Sequence, residues 1–140
     1  MTEVEVRRVE GSTFLAKGPS NHWVVLDAGP EDGGQDGGAR PMELVLMAMG
    51  GCSGIDIELI LRKMRLKLSD FRIHLKGERA DSDPRVYTKI HAEYHFWGRD
   101  LPREKLERAV KLSEEKYCSV SNMLNRVAAV TTEVILHPED

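Results

Sequence analysis

From Leu44 to Met49 the chain is apolar at every position, and Gly50 and Gly51 then carry no side chain before Cys52. A surface helix keeps a polar stripe, so this run predicts a buried helix. Ile55, Leu59 and Met64 recur at helical spacing, with Ile57, Ile60 and Leu61 filling out the apolar side. Asp56, Glu58, Arg62 and Lys63 take the polar positions. The stretch from Arg40 to Met64 therefore reads as a buried helix carrying a sulfur. Pro41 suits a first helical turn, and Glu43 places a favourable charge near the positive end of the helix dipole.

The flanking patterns differ. Val4, Val6, Val9, Phe14 and Ala16 alternate loosely with polar residues, and Gly18-Pro19-Ser20-Asn21 punctuates before His22 to Leu26. Two antiparallel strands joined by turns are predicted. Phe71, Ile73 and Leu75 alternate with Arg72, His74 and Lys76. After a turn at Asp81-Ser82-Asp83-Pro84, Val86, Ile90, Ala92, Tyr94 and Phe96 share one face, and Lys89, His91, Glu93 and His95 share the other. This is a hairpin with one wet side. On a strand, His91 and His95 lie about 13 Å apart, too far to share an ion, so both are read as solvated. Pro102 opens an amphipathic helix with Leu106, Ala109, Val110 and Ser113 on one side. Hydroxyls near Cys118 can cap a further short helix through Asn125, and Val127 to Leu136 closes as a strand. The order strands, helix, hairpin, helix, strand predicts an α+β fold with antiparallel sheet, and residues 1–140 read as a single domain without repeat or linker.

Composition narrows the function. With 140 residues, 41% hydrophobic and 31% charged, the chain is globular in character, and a formal net charge of −3 gives no field to hold a polyanion such as nucleic acid. The glycine-rich loop Gly29 to Gly38 lacks the lysine-hydroxyl ending of a phosphate loop and carries Glu31, Asp32 and Asp36, which would repel phosphate. The amino terminus has no basic region followed by an apolar run, and no segment is read as a membrane span, so a cytoplasmic location is expected. Two cysteines are too few for a disulfide scaffold or a thiolate zinc site, so each is either a buried hydrophobe or a reactive thiol.

Two strings carry a resemblance: Gly33 to Leu44 continued by Ala48-Met49-Gly50-Gly51-Cys52, and Cys118-Ser119-Val120-Ser121-Asn122. Together they resemble the OsmC/Ohr family of hydroperoxide-reducing proteins over nearly the whole chain. The likeness is strongest to its YhfA-like branch, through Val9-Glu10-Gly11, Gly50 to Asp56 and Glu115 to Val120. The resemblance implies an intertwined homodimer in which antiparallel sheets wrap paired central helices. It implies Cys52 as the peroxidatic thiol and Cys118 as the resolving one. The activity implied is a peroxiredoxin-like thiol peroxidase in oxidative-stress defence, reducing organic hydroperoxides through a sulfenic acid and an intramolecular disulfide. An external dithiol would be the reductant, with no metal and no bound cofactor, and with no nucleic-acid or membrane partner. The alternative it leaves is a non-catalytic redox sensor or small-apolar-ligand binder.

The family's early-strand arginine falls near Phe14 or Leu15, and its glutamate position, counted back from Cys52, is Met42, with Glu43 one place later. Candidates for activating or orienting the thiolate are therefore Arg40, Glu43 and Asp56. Arg40 is twelve residues from Cys52, about 18 Å along a continuous helix, so it serves only if the helix breaks at Gly50-Gly51 or a dimer partner supplies it. Asp56 shares a helical face with Cys52, where a carboxylate disfavours a thiolate unless a cation pairs with it. Arg7, Arg8, Arg62 and Arg65 are the remaining cations considered for that pairing.

Overall fold

The computed structural model describes all 140 residues. They form two compact units, Met1–Val45 and Leu46–Asp140, whose boundary falls inside the long helix α1 (Pro41–Lys63).

In the first unit the early apolar run gives three strands rather than two. β1 (Glu5–Glu10) and β2 (Thr13–Lys17) pair antiparallel, and β3 (Val24–Leu26) pairs antiparallel with β2. The division comes at Gly11, whose φ of 54° is left-handed backbone that a glycine adopts without steric cost. The glycine-rich segment after β3 is ordered by a short 3-10 turn, Pro30–Asp32, and by the buried carboxylate of Asp27. Asp27 accepts from Ser12 Oγ at 2.6 Å, Thr13 Oγ1 at 3.1 Å, and the backbone amides of Ala28, Gln35 and Gly37 at 2.7, 3.1 and 3.0 Å. These donors, Ser12 foremost, hold the Asp27 carboxyl well below the usual carboxylate range.

In the second unit β4 (Asp70–Arg79) and β5 (Tyr87–Gly98) form the expected antiparallel hairpin. A register irregularity at Glu78/Arg79 puts Tyr87 in the core in place of Val86, which is exposed. Beyond α2 (Arg103–Leu112), one π-helical turn (Ser113–Tyr117) and α3 (Ser119–Leu124), β6 (Ala129–Pro138) pairs with β5 in parallel, not antiparallel. The sheet is thus mixed, in the order β4-β5-β6. A parallel neighbour needs a crossover connection, and the intervening helices supply it. The fold class is α+β, as expected.

The helices cover one face of this sheet. Ile57 and Leu61 of α1 pack with Ala92, Tyr94 and Phe96 of β5 and with Leu106, Ala109 and Val110 of α2. Gly50 lets α1 approach closely, since a Cβ there would lie 2.8 Å from Leu75 Cδ1. Only one face of α1 is buried within the chain: Met47, Ile55 and Leu59 are 56%, 66% and 45% exposed. The expectation that no segment has the length and hydropathy of a membrane span is also corrected. Across 23 residues α1 reaches a mean hydropathy of 1.8 over an 18-residue window, although its packed face is that of a core helix.

Candidate functional site

Cys52 lies in the middle of α1 and Cys118 at the amino-terminal cap of α3. The fold brings their sulfurs, and a carboxylate oxygen of Asp56, within 4.8 Å of one another. Both thiols are free, Cys52 half-buried and Cys118 without exposed surface. The short helix α3 is capped by the Cys118 sulfur, which accepts from the Ser121 amide at 3.3 Å, where the sequence suggested a hydroxyl. The Cys118 thiol in turn lies 3.9 Å from the Met49 carbonyl. Burial pushes the Cys118 thiol above its ordinary range despite the hydrogen bonds from Ser121, and the nearby Cys52 adds to the rise.

Behind the sulfurs runs a buried chain of hydroxyls. Ser53 Oγ lies 2.7 Å from Tyr94 Oη and 3.1 Å from Ser113 Oγ, and Tyr94 Oη donates to Glu114 Oε1 at 2.5 Å. Ser121 Oγ donates to the same Glu114 oxygen at 3.2 Å, and Ser113 Oγ reaches Asp56 at 3.3 Å. Asp56 and Glu114 therefore belong to one network that touches both cysteines' surroundings. The π turn supplies Ser113 and Glu114, and its closing bond, Cys118 N–H to the Ser113 carbonyl at 2.7 Å, sets the cap. Burial, then the hydrogen bond to Glu114, raises the Tyr94 phenol far above its ordinary value, so it remains a neutral donor.

The other candidates lie elsewhere. α1 is unbroken through Gly50-Gly51, so the break that would have brought Arg40 toward Cys52 and given Cys52 a helix amino terminus is absent. Arg40 pairs with Asp36, and Glu43 Oε2 accepts from the Arg40 amide at 3.2 Å, the reciprocal bond of a capping box. Arg7 and Arg62 pair with Glu5 and Glu58, and Arg8 donates to the Gly11 carbonyl. The sequence reading missed Ser53, Ser113, Glu114 and Ser121 as site residues and read Tyr94 only as core. A tyrosine on the core face of a strand was the available signal, because a buried phenol takes a hydrogen-bond partner.

Beside Asp56 a cleft of about 360 Å³ runs along α1, lined by Leu59, Ile60, Met64, Leu112 and Tyr117 with Lys63 at its edge. Neither cysteine lines this cleft, which meets the site through Asp56. Two free thiols at this spacing are the parts of a thiol-disulfide couple, whose oxidant and reductant would both come from outside the chain.

The model of the OsmC-like protein family matches residues 33–133. The chain is 42% identical over 129 residues to Protein YhfA of Escherichia coli (strain K12), spanning 92% of this chain and 93% of that one. A hypothetical protein from Aquifex aeolicus VF5 has the same fold at a TM-score of 0.88 and 35% identity, over 100% of this chain and 98% of that one. An organic hydroperoxide resistance protein OsmC from Legionella pneumophila shares the fold at a TM-score of 0.72 and 18% identity, over 96% of each chain. Its sulfur pair, its fold and these relatives together make the chain a member of the OsmC-like family.

Proposed function

We propose that the protein is a cytoplasmic, homodimeric thiol peroxidase that reduces organic hydroperoxides. The observation that carries this is the approach of the two sulfurs to within 4.8 Å with unequal burial. Cys52 is the accessible sulfur. Its thiolate attacks the terminal oxygen of the hydroperoxide, the O–O bond breaks, and the alkoxide takes a proton to leave as alcohol. Cys52 is then a sulfenic acid, and Cys118 attacks its sulfur to form the disulfide and release water. Cys118 starts protonated, so it needs a base at this step. Ser121, between the thiol and Glu114, supports a route for that proton. An external dithiol then returns two electrons and restores both thiols.

The exposed stripe of Met47, Ile55 and Leu59 supports the dimer, because a second copy would cover it. In such a dimer Arg40 of the second copy is the candidate cation for the Asp56 side of the site. Rapid mixing of reduced protein with cumene hydroperoxide tests the chemistry: one equivalent of cumyl alcohol should appear as both thiols are lost. Cys52→Ser should abolish consumption, and Cys118→Ser should leave a sulfenic acid that dimedone traps. Thiols that persist for minutes in excess peroxide would sink the proposal.

A further inference from the structure

The outer face of the second unit's sheet gathers groups that the thiol chemistry leaves unused. His91, Glu93, His95 and Trp97 alternate along β5 on the face turned away from the core. β4 sets His74 directly opposite Glu93, and β6 sets Glu133 opposite Glu93 and His137 opposite Trp97. Four of the chain's five histidines thus lie on three adjacent strands.

Within this face, ligand atoms of His74, Glu93 and His95 lie within 4.8 Å of one another. His95 Nε2 is 3.5 Å from Glu93 Oε1. Two donors about 2.0–2.1 Å from a tetrahedral ion are separated by about 3.4 Å, so this pair already stands at ligand spacing. The other nitrogen of His95, Nδ1, is 3.0 Å from His137 Nε2. Such a partner orients the ring, leaving Nε2 on the Glu93 side. The rings are also held by stacking: His137 lies on Trp97 at 4.2 Å with an interplanar angle of 8°, and His95 lies 5.3 Å from His137 at 15°. His95 is therefore not the solvated side chain expected from the strand pattern, being only 15% exposed. Its nearest histidine partners come from neighbouring strands, not from His91.

We propose that His74, Glu93 and His95 form a binding site for a divalent transition-metal ion of the zinc class, with His137 orienting His95. Two imidazoles and one carboxylate are a zinc donor set that leaves a position open for water or a further ligand. Lys76 competes for Glu93 at 3.7 Å, and its largely exposed side chain is free to swing aside. The adjacent group of His91, Glu93 and Glu133 also lies within 4.8 Å, yet it offers one imidazole and its His91 Nδ1 is engaged by Thr131 Oγ1 at 2.7 Å. The carboxylate between them serves the two-imidazole side.

The test is zinc titration against a chromogenic chelator, using a Cys52→Ser/Cys118→Ser protein so that thiolates contribute nothing. A single equivalent should bind. In that background His74→Ala and His95→Ala should each weaken binding at least about tenfold, and His137→Phe should weaken it by about tenfold as loss of an orienting partner does. His22→Ala and His91→Ala should leave it unchanged. Cobalt substitution should give visible ligand-field bands in the parent and not in His95→Ala, with circular dichroism showing each variant folded. Absence of zinc uptake by the thiol-free protein, or uptake indifferent to His74 and His95, would overturn the site.

Discussion

Tyr94→Phe removes one oxygen from the centre of the molecule and nothing else. The ring is fully buried, and phenylalanine fills the same space, so the change isolates the hydroxyl. That hydroxyl bonds Glu114 at 2.5 Å and Ser53 at 2.7 Å. A hydrogen bond to a charged group contributes about 1.5–3 kcal/mol. Glu114 retains Ser121 and Ser53 as donors at 3.2 and 3.3 Å, and Ser53 retains Ser113, so neither partner is orphaned. The expected loss is therefore in the lower half of that range, about 2 kcal/mol. For 140 residues this is a fall in Tm of about 7 °C, with an unchanged urea m-value. The hydroxyl also leaves a mark at high pH. Burial raises the folded-state phenol above its unfolded value, so its contribution is complete below about pH 10 and is lost as pH rises further. The difference in stability between wild type and Tyr94→Phe should therefore shrink above pH 10. Urea unfolding followed by circular dichroism across pH 7–11 reads both effects, on an axis spanning about the unfolded phenol value. A Tyr94→Phe protein as stable as wild type at neutral pH would refute the network as an energetic element.

Three further substitutions test the frame of the fold. Gly50→Ala gains about 1 kcal/mol of helix propensity but presses a methyl group on Leu75 Cδ1 at 2.8 Å, a cost at the low end of the overpacking range, about 1 kcal/mol, so thermal unfolding should show no net gain in stability. Gly51→Ala meets nothing within 4 Å in its own chain, yet Gly51 lies between Met47 and Ile55 on the exposed face of α1. In the proposed dimer its Tm should fall and become steeper in protein concentration, whereas a concentration-independent rise would exclude a partner on this face. Asp27→Asn should accelerate amide exchange at Ala28, Gln35 and Gly37, the groups that bond the carboxylate. Because its folded-state value is depressed, Asp27 stabilises above the unfolded carboxylate range, about pH 4, and that contribution is lost on acidification through its folded value. The Asn variant should lack that acid-dependent part.

Local pattern made α1 and the β4-β5 hairpin legible, because a 3.6-residue or two-residue period is written in consecutive residues. The direction of β6 was not, since a strand shows the same alternation in parallel and antiparallel pairing. Only the length and helicity of the segment from Arg99 to Ala128 bear on that choice. The cysteines stood out by their surroundings, but their meeting depends on the π turn placing Cys118 against α1, which no propensity announces. Ser113 looked like a small member of an apolar stripe, and no local pattern singled out Asp27. Each is defined by partners distant in sequence. An apolar α1 likewise specifies that both faces need cover without saying that its own chain covers only one.

The pairing of β5 on its two edges has a consequence for the order of assembly. β4 meets β5 across the short segment from Ala80 to Val86, while β6 reaches it forty positions later, Lys89 opposite Ala129 and Gly98 opposite Pro138. Loop-closure entropy grows slowly, by about 0.6 kcal/mol per doubling of length, but non-local pairing still dominates the folding time of a small domain. The hairpin is therefore favoured to zip first and the crossover to close last. α2, the π turn and the cap that holds Cys118 all lie within that crossover. The thiol that the native state hides most completely is thus among the last to be hidden, and a reducing environment protects it during the interval when the chain is still closing.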